Sequence, residues 1–172
     1  MCGGCVVNAM KVDWDSIAEA LGSRHGGDSV GCQAIEIIIG EAAIKDAVER
    51  FVRGDSASEI IRSVLNVLRP ASARNHCHQI FKSQRSIEER RSAVDLLRSC
   101  AVRETIGWVC EFLADSDEGI QNWGASLADQ LAFGQWIQKG DCEPLIARMN
   151  GHPNSQVRWH LSEMLKSFAQ NS

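Results

Sequence analysis

The stretch Asp115-Ser-Asp-Glu-Gly-Ile-Gln-Asn-Trp-Gly-Ala-Ser-Leu-Ala-Asp-Gln-Leu131 reads as a turn followed by a helix, and its pattern returns at Asn154-Ser-Gln-Val-Arg-Trp-His-Leu-Ser-Glu-Met-Leu165. Placing Ile120 over Val157 puts Gly124 over Leu161, Leu127 over Met164 and Leu131 over Phe168, so one apolar face is written twice at helical spacing. A single helix cannot bury such a face alone. Its recurrence predicts stacked helical hairpins.

Composition supports an all-helical chain. Tyr is absent, Pro occurs three times, and β-branched residues are scattered rather than alternating, which weighs against a sheet protein. With 172 residues, 44% of them hydrophobic, one folded domain is expected. No window reaches the ~20 apolar residues of a membrane span, and the first residues carry neither a basic segment nor an apolar run. Cys2, Cys5, Cys32, Cys77, Cys100, Cys110 and Cys142 are odd in number, which fits free thiols in a reducing cytoplasm better than a disulfide framework.

Along the chain, residues 1–31 are expected to be a loosely ordered, Gly-rich extension with one short helix, Asp15 to Leu21. Residues 32–172 are expected to form the repeat domain. Gln33 to Ile39 reads as a buried helix broken near Gly40. Four hairpins follow: Glu41 to Val52 with a helix that Ser56 caps and Arg69-Pro70 ends, Ser72 to Lys82 with Ile87 to Ala101, Arg103 to Ala114 with Glu118 to Trp136, and Cys142 to Met149 with Ser155 to Phe168. The period is about 30 to 38 residues, within the range of helical solenoid repeats.

At its second helices the chain resembles the HEAT-repeat family, in which that helix opens with Asp or Asn, a short gap, Val-Arg and a downstream Ala/Leu face. Asn154-Ser-Gln-Val157-Arg158 matches closely, Asp117-Glu-Gly-Ile120-Gln121 matches with Gln for Arg, and Ser86 to Val94 matches loosely. The resemblance covers roughly residues 41 to 169 and implies an α-solenoid of about four HEAT-like hairpins. The family includes scaffolds, toxin-neutralising proteins, bilin lyases and DNA glycosylases, so it implies fold more narrowly than function.

Short motifs with catalytic or metal readings do not fit this frame. Gly27-Asp-Ser29-Val-Gly31 has the spacing of a hydrolase nucleophile elbow, which needs a strand before it. Cys2-Gly-Gly-Cys5 and His76-Cys77-His78 offer metal-ligating side chains, but neighbouring side chains on a helix point about 100° apart. Asp115-Ser-Asp-Glu-Gly resembles the start of a calcium loop yet has Ser126 where a bidentate Glu is required, so Asp117 is expected to be a helix cap. No catalytic residue, metal or cofactor is expected.

Charge is distributed unevenly around the net −4. Residues 45–103 hold 12 Lys and Arg against 7 acids, whereas residues 104–138 hold 6 acids and no base. The asymmetry can steer a partner or reflect solvated helix faces. Trp123 shares the apolar face of Ile120 and Leu127, while Trp159 falls about 200° from Val157 and points outward, either covering the end of the stack or anchoring a partner. Glu88, Arg91, Asp95 and Arg98 read as a self-paired surface stripe.

These readings point to a cytoplasmic binding module whose partner is another protein, with no membrane and no specific nucleic acid, and the family resemblance alone implies a bacterial scaffold, adaptor or toxin-neutralising protein. The expected surface is Arg91, Asp95, Asn122, Asp129, Trp159 and Lys166, all on successive second helices. The alternatives are a nucleic-acid-acting protein of the DNA glycosylase type or a bilin-lyase-like enzyme. Against the first, the aromatics lie in the acidic stretch, so phosphate contacts would have to come from elsewhere on the surface.

Overall fold

The computed structural model of the protein describes residues 12–22 and 27–170, and within them the chain is helical with no strand. Ten α-helices follow one another: α1 (Trp14–Leu21), α2 (Asp28–Ile39), α3 (Glu41–Val52), α4 (Ser58–Leu68), α5 (Ala71–Lys82), α6 (Ile87–Ser99), α7 (Ile106–Leu113), α8 (Glu118–Phe133), α9 (Glu143–Asn150) and α10 (Ser155–Gln170). Short 3-10 turns at Arg103–Thr105 and Lys139–Cys142 lead into α7 and α9. None of the described helices is long and apolar enough to cross a membrane.

Helices pair in sequence, α3 with α4, α5 with α6, α7 with α8 and α9 with α10, and α8 also lies against α6 and α10. The repeated apolar face forms the interior. Ile120, Leu127, Leu131, Val157, Leu161, Met164 and Phe168 are all buried. Gly124 is buried for a different reason: a Cβ there would stand 2.4 Å from Cβ of Phe112, so the absent side chain lets α7 and α8 approach closely.

Caps define where the helices start. Asp117 accepts from the Ile120 amide at 2.9 Å at the head of α8, and Ser86 with Glu89 forms a reciprocal capping box on α6. Ser56 does not cap α4, which starts at Ser58 without a side-chain cap. Ser58 instead donates its hydroxyl to the Asp55 carbonyl at 2.6 Å. At α5 the cap comes from another helix, because Glu36 of α2 accepts from the Ala71 and Ser72 amides and from the Ser72 hydroxyl.

Two expectations need correction. The apolar run Gln33 to Ile39 is helical, but α2 contains no buried residue, and Ile35, Ile37 and Ile39 are 40–44% exposed. The reason is position: α2 packs on α1, α3 and α4, and among the described residues no further helix lies extensively against its other side. It also runs as one helix through residues 31 and 32. The charged stripe on α6 does not pair chiefly with itself: Asp95 pairs with Arg98 within it, but also with Arg62 of α4, and Arg91 pairs with Asp117 at the head of α8.

Candidate binding groove

The charge asymmetry of the sequence becomes a set of ion pairs between neighbouring helices. Lys82 reaches Glu111 at 2.6 Å, Arg90 meets Asp115, and Arg91 meets Asp117 at 2.6 Å, so bases of α5 and α6 are matched by acids of the following hairpin. Among the twelve bases of residues 45–103, Arg53, Arg69 and Arg74 are those without a carboxylate partner among the described residues. Most of the positive middle is therefore neutralised within the fold. It does not form a broad cationic surface.

Of these three, Arg69 lies where paired arginines and aromatics also meet. A groove of about 460 Å³ lies between α4, α6 and the C-terminal end of α8, and its walls include Arg62, Asn66, Arg69, Arg98, Phe133 and Trp136. Arg62 holds Asp95 with two hydrogen bonds, Nη2 to Oδ2 at 2.7 Å and Nη1 to Oδ1 at 3.3 Å, and Arg98 Nη2 reaches the same carboxylate at 3.1 Å. Two guanidiniums thus share one carboxylate. The Nε of Arg98 is buried with no acceptor among the described residues, and its guanidinium lies 5.1 Å from the Trp123 ring centroid.

Arg69 stands at the centre of this wall. Its guanidinium lies 4.8 Å from the Trp136 ring centroid, and its nitrogens donate to the carbonyls of Asn66 at 3.3 Å and Ala101 at 3.5 Å. Arg69 ends α4 in the left-handed conformation, with φ 45 and ψ 49, immediately before Pro70. A long side chain rarely adopts that backbone, and such strain is of order 1–3 kcal/mol, which the surrounding structure must hold in place.

The two aromatic walls come from the end of α8. Phe133 is 71% exposed and Trp136 41% exposed, with the chain turned between them by Gln135 at φ 60. The Trp136 ring packs edge-on against Gly134, where a Cβ would lie 2.6 Å from ring carbon Cδ1. A second hollow of about 690 Å³ adjoins the first, sharing Asn66, Arg69 and Trp136. Aromatics of the acidic stretch and bases of the basic middle therefore meet on one surface, contrary to the expectation that they would lie apart.

The six residues expected to form a binding surface occupy the same series of helices, but four are engaged within the fold. Arg91 grips Asp117, Asp95 holds Arg62 and Arg98, Asp129 faces His160 Nδ1 at 3.2 Å, and Lys166 reaches Glu163 at 2.6 Å. Asn122 is half-buried, and its Oδ1 has no partner among the described residues. Trp159 is 53% exposed, with its ring edge-on to His160 at 4.7 Å. Trp123 is partly buried against the core.

The groove residues Arg62, Asn66, Arg69, Phe133 and Trp136 did not emerge from helical periodicity. Arg69 and Trp136 sit just past helix ends, where the angular pattern stops. The signal available was the pairing of a terminal Arg with Pro70 and of Gly134 with Trp136.

Residues with catalytic or metal readings are dispersed. Ser29 lies in the first turn of α2, not after a strand. His76 bonds Glu49 at 2.8 Å, Cys77 is buried, and His78 stacks on Trp108 at 4.3 Å, so the three do not converge. Cys2 and Cys5 lie outside the described residues. Glu49 is held down to about 2 by hydrogen bonds from Arg85, with His76 adding to the effect. Asp117 is likewise lowered to about 2 by Arg91 and by the backbone amide it caps. Both are structural carboxylates that link one element to the next.

No protein-family model, curated protein or solved structure matches the chain.

Proposed function

We propose that the chain is a HEAT-like α-solenoid module of the cytoplasm, without catalysis of its own, that binds another protein along the face formed by α4, α6, α8 and α10. The observation that carries this reading is the groove around Arg69. It is a cationic and aromatic hollow in which Arg69, on a strained backbone and without a carboxylate partner among the described residues, stands beside Arg62 and Arg98, which share Asp95. Arg and Trp are the residues on which protein interfaces concentrate their energy. Lateral contacts from Arg62 to Asp95, from Arg91 to Asp117 and from Asp129 to His160 link the same four helices into one surface, with Trp159 exposed further along it.

The meeting of arginines with aromatics also favours a nucleic-acid reading. Internal pairing weighs against it, because a nucleic-acid interface that draws its affinity from many phosphate contacts needs many free bases, and here few remain. The test is affinity capture with the intact chain and with two sets of variants. Trp136→Ala and Trp159→Ala should each release a stoichiometric protein partner, whereas Gln79→Ala and Arg148→Ala, exposed on α5 and α9, should not. Retention of the partner by both tryptophan variants would refute this face, and enrichment of nucleic acid with no protein would favour the second reading.

A further inference from the structure

Resting on the protein-binding reading above, we infer that the Arg69 groove is the anchor site for a short acidic segment of the partner, in which a carboxylate stands beside an apolar or aromatic side chain. Three features of the groove select that chemistry. Among the described residues no acidic side chain lines the 460 Å³ hollow, although three guanidiniums do, and a single carboxylate, Asp95, is shared between two of them. Arg69 has no carboxylate partner among the described residues, and its backbone is held in a conformation that non-glycine residues avoid. Phe133 and Trp136 then present apolar surface within the same hollow, so an incoming segment meets charge and hydrophobic contact together.

Geometry limits the size of the ligand. The two adjoining hollows, about 460 and 690 Å³, each fall in the ~300–1,000 Å³ range of pockets that enclose a compact group, and Arg69 with Trp136 forms the ridge between them. Two acids, Asp28 and Glu36, line the second hollow opposite Arg69 and Arg74, and Glu36 is already committed to capping α5, so the 460 Å³ hollow is the one that receives the carboxylate. One or two carboxylates there would meet Arg69 and Arg98, where fork-shaped donors recognise planar anions through paired hydrogen bonds. The amides of Asn66 and Gln130 line the same wall and can bond the backbone of an extended segment.

The test is selection from a random-peptide display library on the immobilised full chain, followed by affinity measurement of the enriched peptides. Enriched sequences should carry Asp or Glu next to an aromatic or aliphatic residue. Their affinity should fall about tenfold in Arg69→Asn and in Phe133→Ala and stay unchanged in Arg53→Gln, an exposed base outside the groove. Asn tolerates the left-handed backbone and Phe133 is exposed, so neither variant should unfold, which circular dichroism checks. Enriched peptides that lack acids, or that bind Arg69→Asn as well as wild type, would overturn the anchor. If those peptides are instead lost in Trp159→Ala, the protein-binding face survives while this inference fails. Binding of a single-stranded oligothymidylate that Arg69→Asn abolishes, with no peptide enriched, would overturn both.

Discussion

Arg62 and Asp95 join α4 to α6 through a two-pronged ion pair, with 2.7 Å and 3.3 Å between nitrogen and oxygen, and Arg98 draws on the same carboxylate from within α6. The Arg62 guanidinium also lies 4.7 Å from the Phe51 ring centroid, so the pair ties the first hairpin to the second. Hydrogen bonding to Asp95 makes Arg62 harder to deprotonate than a free arginine. Asp95→Ala removes the carboxylate that two partly buried guanidiniums share, leaving Arg62 with Ser99 and the more distant Glu59, and is expected to destabilise the fold by about 1–3 kcal/mol. Urea unfolding of Asp95→Ala, Arg62→Met and the double variant measures the coupling. An additive double variant would mean that the pair contributes nothing.

Acid stability should follow Glu49 and Asp117. Both carboxyls sit at about 2 in the folded protein, below ordinary values of 4.5 and 3.8, so their stabilisation is fully present above the ordinary value and is lost as pH falls through about 2. The midpoint of thermal unfolding should therefore drop between about pH 4.5 and 2. Glu49→Gln should lower stability at neutral pH and flatten part of that decline. An unchanged acid limb in Glu49→Gln with Asp117→Asn would show that other carboxylates govern it.

Glycine offers a contrast at two helical positions. At Gly124 an added methyl would meet Phe112 Cβ at 2.4 Å, and α7 with α8 would have to separate, so Gly124→Ala is expected to destabilise by about 1–3 kcal/mol. Gly107 is exposed on α7 with nothing near its missing Cβ, so Gly107→Ala is expected to stabilise by about 0.5–1 kcal/mol through the unfolded chain. Chemical denaturation of the two variants should move in opposite directions.

What could be read from the sequence differs by element. Ile120, Leu127, Val157 and Met164 were legible because burial on one helix face repeats with an angle that a single chain records. The cap at Asp117 was legible for the same local reason. The exposure of Ile35, Ile37 and Ile39 was not, because it depends on which neighbours α2 has, and apolar composition does not state that. The destination of charge was hidden likewise: Arg91 reads as part of a surface stripe until Asp117 arrives from the following hairpin. Arg69 and Trp136 required both three-dimensional proximity and the geometry of helix ends.

Trp159 and Trp123 test position against chemistry. Trp159 is exposed, so Trp159→Ala should change stability by no more than about 0.5 kcal/mol. Trp123 packs partly against the core beneath Arg98, so Trp123→Ala should cost more, though less than the ~3–5 kcal/mol of a fully buried aromatic. Equal losses in thermal denaturation would make Trp159 a packed end cap and would remove it from the binding face.

Thiol reactivity should rank the described cysteines by burial. Cys77 and Cys100 are buried in the core, and burial raises both thiols, Cys100 to about 12, so neither supplies thiolate at neutral pH. Cys100 also donates its thiol to the Leu96 carbonyl at 3.4 Å. Cys32 and Cys110 are half-buried. Alkylation of the native protein followed by peptide mass spectrometry should label Cys32 and Cys110 first, and Cys77 and Cys100 only as denaturant opens the α5–α6 hairpin. Because Cys77 lies on α5 and Cys100 immediately follows α6, their labelling rate reports how often that hairpin opens. Rapid labelling of Cys100 in the native state would mean that the α5–α6 pair is not part of the stable core.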